Sequence, residues 1–183
     1  GRLLGTVGRV LPATVEPVEL TARTERGDRV AGQVAVQELV GRIRQVGVLP
    51  PDAPACPEAV EAIRLADQVV LAPGSLFTSV LAVLAVDGIR DAIGSTEARV
   101  VQVANLAEQL PETEGLDATD HLRAVLDHGG RVDTVLHATD GALRLDRDAA
   151  IGLGVEPVEV PLARSDGGGH DAGRMAAALR ILT

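Results

Sequence analysis

The chain has 183 residues, 46% hydrophobic and 1% aromatic, with no Trp or Tyr, one Phe, one Cys, and a net charge of -9 carried against 17 positive charges that are all Arg. That length suits one domain of ordinary size, with at most a small appendage. Aliphatic content and evenly spread charge exclude a disordered chain, the lack of a three-residue Gly period or heptads excludes collagen and coiled coil, and a single cysteine excludes a disulfide scaffold.

In chain order, the stretch from Val10 to about Pro50 reads as antiparallel. Val18, Leu20 and Ala22 alternate with Glu19, Thr21 and Arg23, the polar run Glu25–Asp28 offers a turn, and Val30, Gly32, Val34 and Val36 alternate again. Ile43, Val46 and Val48 suit a third strand. Pro50, Pro51, Pro54 and Pro57 close the region, so a boundary is expected there, with an antiparallel hairpin region over residues 1–50 and an α/β layer over 51–183. Ala59, Ile63 and Ala66 then share a helix stripe, and Gln68–Ala72 reads as a strand. The run Leu76–Ile89, interrupted by Thr78, Ser79, Asp87 and Gly88, reads as a buried helix rather than a membrane span. A strand at Arg99–Ala104, a helix from Asp117, a strand over Val132–Ala138, a turn of helix near Asp146, a strand at Val155–Val160 and a helix after His170 complete the pattern. Strands alternating with helices, and apolar runs without alternating polarity, predict an α/β fold with a mostly parallel sheet covered on both faces. The chain opens at Gly1 without an initiator Met, which is expected of a segment of a longer polypeptide.

Ligands of such sheets bind at the carboxyl ends of the strands. The most informative strand end is Leu71-Ala72-Pro73-Gly74-Ser75-Leu76-Phe77-Thr78-Ser79-Val80. A tight Pro-Gly turn into an apolar helix leaves amides unpaired at the helix start, where phosphate binds, with the Ser75, Thr78 and Ser79 hydroxyls nearby; Ser75 as a plain N-cap is the competing reading. No Walker or GxGxxG loop is present. Asn105, at the next strand end, and Gln109, Glu112 and Thr113 in the loop after it could hold a ribose, sugar or base edge, or could satisfy turn amides and face solvent. Asp166-Gly167-Gly168-Gly169-His170-Asp171 is a flexible loop in which His170 or Asp171 caps the last helix. His121, His128 and His137 lack companions at zinc spacing, so no metal site is expected. No G-x-S-x-G elbow supports covalent catalysis. The acidic balance argues against nucleic acid and anionic membrane as partners. Cys56 reads as a small buried apolar residue in a reducing compartment.

The strings Val10-Leu11-Pro12-Ala13-Thr14, Gly74-Ser75-Leu76-Phe77-Thr78-Ser79, Asn105-Leu106, Glu112-Thr113-Glu114-Gly115 and Asp120-His121 resemble, in order and spacing, the carboxyl-terminal part of the gluconeogenesis factor family, related to 2-phospho-L-lactate transferase in the CofD-like superfamily. The resemblance implies a three-layer, Rossmann-like α/β/α fold, whose glycine-rich amino-terminal segment lies upstream of these residues. It implies a cytoplasmic bacterial protein that binds UDP-sugars and supports cell shape and wall synthesis on gluconeogenic carbon, more a regulatory binder than a catalyst. The related transferases instead move a phospholactyl group to a deazaflavin with Mg2+. Gly74, Ser75, Thr78, Ser79, Asn105, Glu112 and Thr113 would line the nucleotide crevice, with no certain cofactor; a second copy of the chain is an admissible partner. Three positions depart from the family pattern: Phe77 and Ala150 stand where Tyr is usual, and Gly169 where Arg precedes His-Asp.

Overall fold

In the computed structural model, which describes residues 7–183, the strands of the antiparallel region begin at Glu19. The pattern expected from Val10 is irregular backbone up to that point, anchored by a bridge between Thr14 and Ala55 and by Cys56 N donating to Ala13 O at 2.9 Å. Pro12 and Pro17 account for this, since each removes an amide that a strand ladder would use. β1 (Glu19–Thr24) buries Leu20, Ala22 and Thr24 and exposes Glu19 and Arg23, the wet and dry faces expected of it. It lies between β2 (Arg29–Ala31) and β3 (Ile43–Leu49), antiparallel to both. The second strand is shorter than its alternation implied. Gly32, at φ 95°, turns the chain into a short helix, α1 (Gln33–Gln37), so Val34 is exposed while Val36 and Leu39, three apart, point inward.

The second sheet is wholly parallel, in the order β4 (Gln68–Leu71), β5 (Arg99–Val103), β6 (Thr134–Ala138) and β7 (Glu156–Val160). α2 (Pro57–Arg64) starts on Pro57 at its first turn and leads into β4. α4 (Asp87–Ser95), which is reached through α3 (Leu81–Leu84), precedes β5. α5 (Ala118–Asp127) precedes β6, and α6 (Arg147–Gly152) precedes β7. Val100, Ala104 and Val135 face one core, shared with Ala118, Leu122 and Val125 of α5 and with Leu20, Ala22 and Val46 of the antiparallel sheet. Val101, Val103, Leu136 and Ala138 face a second core closed by Ala178 of α7 (Ala172–Ile181) and by Leu182. The non-alternating strands are therefore buried on both faces, as their composition predicts.

The helix read over Leu76–Ile89 is instead three pieces. Leu76–Val80 is a π-helical turn, α3 follows it, and extended backbone at Val86 (φ -83°, ψ 108°) separates α3 from α4. Hydropathy is blind to such breaks, because Leu76, Leu81, Leu84, Val86 and Ile89 are buried on either side of them. Cys56 is buried, as expected, with its thiol 3.3 Å from a Glu58 carboxylate oxygen.

Candidate functional site

At the end of β4 the chain passes through Ala72 and Pro73 to Gly74, then enters the π-helical turn, where Ser75 O accepts from both Ser79 N (3.1 Å) and Val80 N (3.0 Å). The widened turn leaves amides at its start, and Glu112 fills part of that need. Its Oε1 accepts from Phe77 N at 2.7 Å and Thr78 N at 2.9 Å, and the Thr78 hydroxyl donates to Oε2 at 3.4 Å. Glu112 and Thr113 are buried, so neither is the solvated loop residue that one reading of the sequence allowed. Thr113 folds the loop on itself: its hydroxyl accepts from Gln109 N at 2.8 Å, and its own amide donates to Gln109 O at 2.8 Å. The Glu112 carboxylate also offsets the partial positive charge at the turn's start, placing an internal anion where the sequence suggested phosphate.

Asn105, two residues past β5, clasps Gly74 in both directions. Gly74 N donates to Asn105 Oδ1 at 3.1 Å, and Asn105 Nδ2 donates to Gly74 O at 2.9 Å and to Gln109 Oε1 at 3.4 Å. The fold thus brings Gly74, Ser75, Thr78, Ser79, Asn105, Glu112 and Thr113 together at the carboxyl ends of β4 and β5. Their roles there differ, since Thr78, Glu112 and Thr113 are buried in internal bonds, while Gly74, Ser75, Ser79 and Asn105 keep accessible surface.

Gly74 is distinctive among these. Its φ lies outside the left-handed region, and a Cβ added there would meet nothing nearer than Ser79 Cβ at 3.8 Å, an ordinary contact. Internal packing therefore does not demand glycine at this position.

Asp140, just past β6, belongs to none of the sequence motifs. Its Oδ1 accepts from Leu162 N (2.8 Å) and Ala163 N (3.0 Å), and Arg174 reaches Oδ2 at 3.2 Å. The two amide bonds hold its pKa below the ordinary aspartate value, helped by the Arg174 charge. In the glycine loop Asp171 caps α7 by accepting from Arg174 N at 2.9 Å, and His170 Nε2 lies 3.2 Å from Ala104 O at the end of β5. His128 ties β3 to α5, accepting from Val46 N at 3.1 Å with Nδ1 2.7 Å from Ala124 O. Among the described residues no group of three or more His, Cys, Asp or Glu is placed to share a metal ion. Nor is any helix among them long and apolar enough to cross a membrane.

The family profile described as "2-phospho-L-lactate transferase CofD" matches residues 1–163. A protein named "Gluconeogenesis factor" from Halalkalibacterium halodurans is 41% identical over 129 residues, covering 70% of this chain and 40% of its own. The "Putative gluconeogenesis factor" of Mycobacterium leprae is 38% identical over 195 aligned residues, covering 98% of this chain and 54% of its own. A crystal structure of a UPF0052 family member from Bacillus halodurans superposes with a TM-score of 0.91 at 32% identity, over 98% of this chain and 64% of that one. The chain thus spans about half the length, or less, of these curated relatives. A profile match over nearly nine-tenths of its residues, on a sheet whose strand ends gather the Gly74 and Asn105 segments, places the chain in the CofD family.

Proposed function

We propose that this chain forms part of a UDP-sugar-binding regulatory protein of the gluconeogenesis factor type, acting in the cytoplasm on cell shape and wall synthesis during gluconeogenic growth. The observation that carries the reading is Gly74, a glycine at the carboxyl end of β4 that neither backbone angle nor packing requires. A residue without a side chain at such a place lets a diphosphate approach the backbone beside the Ser75 and Ser79 hydroxyls, apart from the Phe77 and Thr78 amides that Glu112 already caps. The names of the relatives support the gluconeogenesis factor assignment. Titration calorimetry with UDP-N-acetylglucosamine tests it: saturable heat is expected, and none at millimolar ligand would overturn it. The description of the matching profile favours a second reading, a phospholactyl transferase acting on a deazaflavin. Turnover of deazaflavin supplied with activated phospholactate would establish that reading, and the calorimetric ligand would then be a guanine nucleotide.

A further inference from the structure

Next to the Gly74–Asn105 clasp, the apolar core is interrupted by two polar side chains on different elements. Gln102 projects from β5 into the core shared with α5, and His121 projects from the first turns of α5; they are 5% and 2% exposed. Gln102 Oε1 and His121 Nε2 are both buried without a hydrogen-bond partner. Both residues line one small cavity of about 10 Å³, together with Leu71, Leu76, Val80, Gly74 and Asn105.

An unpaired buried polar atom costs on the order of 1–3 kcal/mol, so two around one cavity call for a shared partner. The volume limits what that partner can be. Roughly 10–15 Å³ of probe-occupied space holds one water. A sugar or phosphate group cannot enter. A water also matches the chemistry, because it can donate to the Gln102 carbonyl oxygen while donating to or accepting from the imidazole, whichever tautomer is present. Burial favours the neutral imidazole, against the opposing pull of Asp117, Asp120 and Glu108.

We propose that Gln102 and His121 hold a single internal water in this cavity beside the Gly74–Asn105 clasp, linking β5 to α5.

A high-resolution crystal structure of this chain tests the proposal, with one ordered oxygen expected within hydrogen-bond reach of both atoms. A dry cavity, or a direct Gln102–His121 bond, would overturn it. In solution, the unaltered protein should show cross-relaxation between the His121 ring and a long-lived water; exchange as fast as at the surface would contradict the site. Stability adds a third readout through Gln102→Met, His121→Leu and the double variant. A shared water predicts that the double variant loses less melting temperature than the two singles combined, and strictly additive losses would count against it.

Discussion

Glu112 is where residue-scale chemistry departs most from expectation. From its sequence position this loop carboxylate reads first as solvated and as a ligand contact only by family resemblance, yet it is buried and caps two amides of the π-helical turn. Glu112→Ala leaves both amides unpaired and should lower unfolding free energy by about 3 kcal/mol, whereas Glu112→Gln keeps an acceptor and should cost about 1 kcal/mol. Equilibrium urea denaturation separates the two. Gly74→Ala should behave oppositely, changing stability by no more than about 0.5 kcal/mol because the new methyl meets only Ser79. Asp140 has a pKa lowered in the folded state by the Ala163 and Leu162 amides. Its contribution is therefore complete above the ordinary aspartate value and drains away as pH falls through the lower folded value. Asp140→Asn should reduce the melting temperature at neutral pH, and the deficit should shrink at the acid end, as thermal melts across pH would show.

Elements were legible wherever a period ran uninterrupted. The four parallel strands and α5 lie close to where their apolar runs placed them, and Asp117 caps α5 by accepting from Asp120 N at 2.8 Å. What escaped were changes of backbone state inside apolar sequence. Val34 and Val36 alternate like a strand, but Gly32 had already turned the chain into a helix, and Leu76–Ile89 keeps its hydropathy through a π-helical turn and a break at Val86. Hydropathy reports burial, and both states bury the same residues. Close approach is similarly invisible. Gly130, at the end of the α5 connection, would place a Cβ 2.9 Å from Val125 O and 2.8 Å from Val125 Cγ1. Gly130→Ala should therefore destabilise by about 2 kcal/mol, measured by calorimetric melting, in contrast to the tolerant Gly74.

Across the whole molecule, one core joins the antiparallel sheet to the parallel one through α5 and the Leu76–Leu84 segment, and a second core lies under α7. The candidate site sits where segments from β4 and β5 meet over the first core. Its membership could be read from strand-end motifs, because strand ends are where short loops converge. Its division of labour could not, since that depends on which side chain finds which amide across more than thirty residues of sequence. Of the seven, Gly74, Ser75, Ser79 and Asn105 keep surface to meet a ligand, and neither packing at Gly74 nor a side-chain cap by Ser75 explains those two residues. The most direct measurement is therefore titration of UDP-N-acetylglucosamine into the unaltered protein and into Gly74→Ala. Saturable binding that weakens at least roughly tenfold in the variant, a loss of about 1.4 kcal/mol at unchanged melting temperature, is the predicted result. Equal affinity in the two proteins, or no binding to either, would contradict the assignment of this strand end.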